Sequence, residues 1–292
     1  MIVDAHAHVI APDQARYPFS AVDGQLSDTI ARRLDTEGLL TAMDAAGVDR
    51  ALLVQFAHVH GWDNSYVVDS ARRHPGRVAA VCGIDTLASD AAERLAYWVA
   101  ERGAAGVRLV AANRQGGMDW LQTPAVWAQA ARLRVPVCVF WSFGQYAAGL
   151  PALRAMLERF PGVPVVLDHA GNPPWEEGPP LYGLGPLLAL APFNLHLKLS
   201  TINLQRLAAA DAPAERVMHL LVERFGAARL LWGSDLPHTP GPLGAMLAAM
   251  RQAIAALPAA DQGAILGGTA LRLYPRLTVA AADGGAAEPT TS

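Results

Sequence analysis

Ile2-Val3-Asp4-Ala5-His6-Ala7-His8-Val9 is the stretch on which the reading of this chain turns. In an extended strand successive side chains point to opposite faces, so Asp4, His6 and His8 share one face while Val3, Ala5, Ala7 and Val9 share the other. The apolar face belongs against a covering layer of helices. The polar face carries three titratable groups into an interior, where desolvation is costly unless they are paired, hydrogen-bonded or bound to metal.

Outward from this stretch, short runs rich in Val, Ile and Leu alternate with amphipathic segments. Eight such runs can be counted: Ile2 to Val9, Ala51 to Gln55, Val78 to Ile84, Gly106 to Val110, Val135 to Trp141, Val163 to His169, Leu195 to Ser200 and Leu230 to Asp235. Near-continuous apolar strands separated by helices are the pattern of a parallel sheet covered on its face, and eight is the number that closes a barrel. The spacing therefore predicts an α/β fold, a single-domain (β/α)8 TIM barrel over residues 1–277 of the 292. Thr123 and Ser89 are read as helix N-caps, and Pro124 and Pro213 suit first-turn positions that need no N–H donor. Two segments break the rhythm, Ala11 to Asp35 and the Gly- and Pro-rich Gly171 to Pro186, and both read as loops over the C-terminal rim. The tail 278–292 has no hydrophobic stripe and is read as disordered.

Composition narrows the class of function. An apolar share of 52 % with 17 % charged residues suits a well-buried enzyme. A formal net charge of -3 sets up no field for nucleic acid or an anionic membrane surface, and no apolar run approaches the roughly 18 residues of a membrane span. A small-molecule partner and a cytoplasmic setting are expected, with a homo-oligomer left open. Cys82 and Cys138 each lie inside an apolar β-like run, where a small buried thiol is a better reading than a disulfide or a nucleophile.

The sixth run ends Val-Val-Leu-Asp168-His169-Ala-Gly and the eighth ends Leu-Leu-Trp-Gly-Ser-Asp235-Leu-Pro-His238, so His169 and Asp235 also fall at strand C-terminal ends, the catalytic rim of such barrels. Alone, His169 could be a satisfied core histidine and Asp235 a helix cap. With His6 and His8 they form one His-His-His-Asp set, able to hold one divalent ion or to act directly on a carbonyl. Arg108 on the fourth strand and Lys198 on the seventh are interior cations, explained by a substrate carboxylate or by an internal salt bridge, for example to Asp4 or Asp168. His60, Tyr146 and His238 are further candidates for lining the site.

His6-Ala7-His8 and Gly233-Ser234-Asp235-Leu236-Pro237-His238 resemble the amidohydrolase superfamily, and the resemblance runs through about Tyr274. Within it the chain resembles the amidohydrolase-related group of 2-pyrone-4,6-dicarboxylate lactonase and sugar lactonases. The words that carry this are Gln55, His60-Gly61, Asp63-Asn64, Gly106-Val107-Arg108 and Asp168-His169. The resemblance implies a metal-dependent hydrolase with His6, His8, His169 and Asp235 as catalytic residues and as ligands of one Zn2+ or Mn2+. The group also includes members that hydrolyse without metal, so the ion is dispensable in that version. The fifth run, Val-Pro-Val-Cys-Val-Phe-Trp-Ser, lacks the histidine or lysine that many members place there, which argues against a binuclear site. It also turns the expectation toward a lactonase of a carboxylated organic acid or sugar acid. The alternative is a metal-dependent decarboxylase of an aromatic or unsaturated acid, and a catalytically silent ligand-binding barrel is the third reading. Arg108, Lys198, His60, Tyr146 and His238 would then meet a small anionic substrate.

Overall fold

The computed structural model describes residues 1–111 and 117–278, so the tail expected to be disordered lies outside the described residues from 279 onward. Eight parallel strands run in chain order around a single sheet: β1 (Val3–Ala7), β2 (Arg50–Val54), β3 (Val78–Gly83), β4 (Gly106–Val110), β5 (Val137–Phe140), β6 (Val165–Leu167), β7 (Leu195–Ser200) and β8 (Leu230–Gly233). The ring meets itself through a parallel bridge between Ala7 and Leu236, where His8 N donates to Leu236 O at 2.6 Å and Asp235 N donates to His6 O at 2.7 Å. This is the expected (β/α)8 barrel. Several strands are shorter than their apolar runs. His8, His169 and Asp235 fall just past the last strand residue, where the ladder ends and the rim begins.

Helices cover the outer face because their apolar stripes match it. Leu39 and Met43 of the helix Thr36–Ala46, and Val217 and Leu221 of the helix Ala214–Phe225, are fully buried. Cutting one such buried leucine to alanine costs about 2 to 5 kcal/mol. Pro124 opens the helix Pro124–Leu133 with Thr123 before it, as expected. Ser89 is not a cap: that helix starts at Ala91 and Asp90 takes the preceding position. The segments read as rim loops hold the short 3-10 turns Asp28–Arg32 and Trp175–Glu177, and the second runs into the short helix Gly185–Leu188. Tyr274 and Leu277 pack against Cys138 and the strand starts, and Cys138 Sγ lies 3.1 Å from the Tyr274 hydroxyl. Among the described residues no helix is long and apolar enough to cross a membrane.

Candidate active site

Two polar layers stack inside the barrel. The deeper one is built by Arg108 of β4, Asp168 after β6 and Lys198 of β7. Asp168 is fully buried and accepts from Arg108 Nε at 2.8 Å through one oxygen, while Lys198 Nζ stands 2.8 Å from the other. The salt bridge that the sequence left as one of two readings for Arg108 and Lys198 thus exists. Lys198 also lies 3.1 Å from His6 Nδ1, which joins this layer to the next.

The upper layer is the His-His-His-Asp set. His6 Nε2 and His8 Nε2 are 3.2 Å apart, and each is 3.6 Å from Asp235 Oδ1. His8 Nδ1 meets Val54 O at 2.7 Å, and His169 Nδ1 meets Ser200 Oγ at 2.6 Å. With their Nδ1 atoms tied, His8 and His169 turn Nε2 toward the centre. Asn203 steadies His169 further, its side chain donating to His169 O at 2.8 Å and accepting from Ser200 N at 2.9 Å. Asp235 Oδ2 accepts from the Thr239 hydroxyl at 2.7 Å, whereas its buried Oδ1 has no hydrogen-bond partner. Leaving a buried carboxylate oxygen unpaired is expensive, and such exceptions cluster where a protein keeps a group ready for use.

The backbone is bent to hold this arrangement. His169 (φ 52°) and Asp235 (φ 66°) both adopt the left-handed conformation that non-glycine residues avoid, a cost of order 1 to 3 kcal/mol each. Gly233 has the complementary duty: a Cβ there would stand 2.6 Å from the Cβ of His6, so only glycine lets β8 approach β1 closely enough to set His6 beside Asp235.

Electrostatics separates the two kinds of group. Burial alone would raise the Asp235 carboxyl, but His169, His8 and His6 outweigh it and hold the group below the usual carboxylate range. Asp168 behaves likewise, with Lys198, His6 and Arg108 overcoming its burial. Burial lowers the histidines, His169 to about 4 and His6 well below the ordinary value, the latter helped by Lys198. At neutral pH both carboxylates are therefore ionised, and His6 and His169 are held toward the neutral form. Deeper still, burial raises Asp4 to about 6, and its Oδ1 accepts from His6 N and Ser234 N across the β1–β8 seam.

A cavity of about 260 Å³ opens over this layer, lined among others by His8, Phe56, Arg108, Phe140, His169, Asp235 and His238. Arg108 spreads over the Phe140 ring at 4.6 Å, so its guanidinium is partly committed to Asp168 and partly turned to the cavity. His238 reaches the same wall, with Nδ1 3.2 Å from the Thr29 hydroxyl. Three candidates lie elsewhere. Lys198 is fully buried beneath His6, His60 Nε2 accepts from Ala11 N at 3.2 Å, and the Tyr146 hydroxyl donates to Gly183 O at 3.0 Å; none of the three lines the cavity. Gln55 and Asn64 tie loops, to Gly61 O and to Gly83 N and O. Sequence reasoning missed Phe56, Phe140 and Phe143 on the wall and Ser200, Asn203 and Thr239 as supports. Only the Ser200-x-x-Asn203 spacing, a capping-box pattern directly after a strand, carried a signal for any of them.

The donor set fits one divalent cation. His6, His169 and Asp235 each offer an atom, all within 4.8 Å of one another, His8 stands beside them, and the bare Asp235 Oδ1 is the kind of atom an ion would satisfy. On β5 the position at the cavity is Phe140, which offers no ligand for a second ion.

Comparisons with known proteins bear on this geometry. The chain is 28 % identical over 284 residues to an L-fucono-1,5-lactonase of Burkholderia ambifaria, covering 93 % of this chain and 94 % of that one. It is 26 % identical over 246 residues to a 4-sulfomuconolactone hydrolase of Rhizobium radiobacter, covering 81 % of this chain and 75 % of that one. In fold it is similar to an amidohydrolase of Burkholderia multivorans solved with bound zinc, with a TM-score of 0.70 at 23 % identity over 94 % of this chain and 99 % of that one. The profile of the family described as Amidohydrolase matches residues 3–276, and the chain belongs to that family.

Proposed function

We propose that the chain is a lactonase that opens a carboxylated organic-acid or sugar-acid lactone by attack of an activated water. The observation that carries this is Asp235 Oδ1: buried, ionised, without a hydrogen-bond partner, and on the wall of a cavity that also presents a guanidinium. Lactone hydrolysis needs a base for water, a polarised carbonyl and an acid for the departing alkoxide. Asp235 takes the proton as the water oxygen bonds to the carbonyl carbon, then returns it to the ring oxygen when the acyl C–O bond breaks. His8 and His169 line the cavity beside Asp235, with His6 directly next to them, where a lactone carbonyl would be presented to the base. Arg108, with part of its guanidinium facing the cavity, suits a carboxylate on the substrate. Similarity to two lactone hydrolases supports the same reaction class.

A single Zn2+ or Mn2+, when bound, would be held by His6, His8, His169 and Asp235 and would supply Lewis-acid polarisation of the carbonyl. At most one equivalent per chain is expected, and two equivalents in active protein would contradict this donor set. The reading includes a cytoplasmic setting, in keeping with Cys82 and Cys138 being free buried thiols.

The test is a panel of lactones and carboxylic acids with product analysis. Ring-opened hydroxy acid without gas is the expected product. Release of CO2 from an aromatic or unsaturated acid would assign the site to a decarboxylase, and tight binding of lactones without turnover would make the barrel a binding protein.

A further inference from the structure

Lys198 has no place in the reaction above, yet it is fully buried and touches the centre. Its Nζ is ion-paired with Asp168 Oδ1 at 2.8 Å and stands 3.1 Å from His6 Nδ1. An ammonium has three N–H groups and no lone pair, so at that distance it meets His6 Nδ1 favourably only when that nitrogen is the acceptor. A neutral imidazole carries one proton, which must then sit on His6 Nε2. The neighbours agree. His8 gives its Nδ1–H to Val54 O at 2.7 Å, so in its neutral form His8 Nε2 is an acceptor 3.2 Å from His6 Nε2. The protons thus run in one direction, from Lys198 to His6, from His6 to His8, and from His8 to Val54 O.

The other tautomer is within reach. Asp168 Oδ1 lies 3.6 Å from His6 Nδ1 and would accept a proton placed there, which frees the Nε2 lone pair. Ligating histidines commonly carry such a carboxylate or carbonyl partner on the far nitrogen, and altering that partner shifts metal affinity by about 10- to 100-fold. Lys198 and Asp168 therefore favour opposite tautomers of one histidine, and the ammonium is the nearer of the two to His6 Nδ1.

We propose that Lys198 is a positioning residue that holds His6 as the Nε2–H tautomer, so that His6 Nε2 carries a proton directed at His8 in place of a free lone pair and the site takes up a divalent cation only weakly. No proton is gained or lost in the change of tautomer. The proposal rests on the functional reading for its consequence but not for its test, because ring-nitrogen spectra report the tautomer whether or not any lactone is turned over.

The experiment uses full-length protein with 15N-labelled histidine, freed of metal, with His6 assigned by the signal lost in His6→Gln. Wild type should show the proton on Nε2 of His6. Lys198→Met should move it to Nδ1 and tighten zinc binding, read by competition with a chromophoric chelator, by at least about tenfold. Lys198→Gln, which keeps an N–H donor without the charge, should stay near wild type in both readouts. A wild-type His6 protonated on Nδ1 would overturn the proposal. Equal tightening of zinc in the Met and Gln variants would overturn it too, since Lys198 would then act through charge alone. If Lys198→Met does not fold, the wild-type spectrum and Lys198→Gln still decide the matter.

Discussion

The two polar layers inside this barrel touch, with Lys198 Nζ 3.1 Å from His6 Nδ1, and they differ in one respect that separates support from chemistry. In the lower layer the charges are matched: Asp168 has a cation on each oxygen, Arg108 and Lys198. In the upper layer Asp235 Oδ1 has no hydrogen bond and faces imidazole nitrogens across 3.6 Å. Burial treats both carboxylates alike and both remain ionised, so pKa does not distinguish them. Open valence does. A buried carboxylate held between two full cations ties strands together, whereas one without a close cation beside a cavity is available to water and substrate.

This contrast can be broken from below. Asp168→Asn should leave Arg108 and Lys198 facing a neutral amide, and removing one member of a buried charge set costs about 3 to 5 kcal/mol. Urea unfolding should show a loss of that size, with lactone turnover falling only as far as the folded fraction and the His6 geometry allow. An Asp168→Asn protein as stable as wild type would mean that the lower layer is not the support described here.

Arg108 belongs to both layers and sharpens the comparison. Arg108→Met leaves Asp168 paired with Lys198, so folding should suffer less than binding. Loss of a charge-assisted contact to a substrate carboxylate should lower kcat/KM by at least about tenfold. The loss should be confined to lactones that carry a free carboxylate. Equal losses for lactones with and without one would assign Arg108 wholly to the lower layer.

The smallest effect lies away from both layers. His196, on β7, is lowered by burial to about 4 from 6.5, with Arg272 and Arg229 adding to the effect. The folded chain keeps it neutral while the unfolded chain takes a proton near 6.5. Between those values the unfolded state therefore binds more protons, and stability falls as pH drops from 6.5 to about 4. His196→Asn should flatten that stretch of the stability profile by up to about 1.4 kcal/mol per pH unit. An unchanged slope would show that His196 titrates alike in both states.

The fold was legible because parallel strands buried on both faces must be apolar, which made runs such as Leu195 to Ser200 visible without any knowledge of their partners. The upper layer was legible for a related reason. His6 and His8 interrupt an apolar strand at period two, and His169 and Asp235 end apolar runs, where a polar residue is otherwise hard to explain. What pairs across the barrel was not legible. Asp168 could be named as a partner for Arg108 and Lys198 but not chosen over Asp4, because that depends on which side chains meet between β4, β6 and β7. His60 and Tyr146 sit on segments whose ends the sequence locates but whose side-chain directions come from loop packing, and both serve as loop ties. The aromatic wall of Phe56, Phe140 and Phe143 gave no signal, since a phenylalanine at a strand end reads as core.

The claim that chemistry resides in the upper layer is tested most directly by Asp235→Asn, assayed on the best lactone of the panel with circular dichroism and thermal unfolding on the same sample. The amide keeps the shape and the Thr239 contact but has no proton-accepting oxygen of comparable basicity, so turnover should fall by roughly 10²- to 10⁴-fold while the spectrum and unfolding midpoint stay close to wild type. Near wild-type turnover in a folded Asp235→Asn protein would contradict the account.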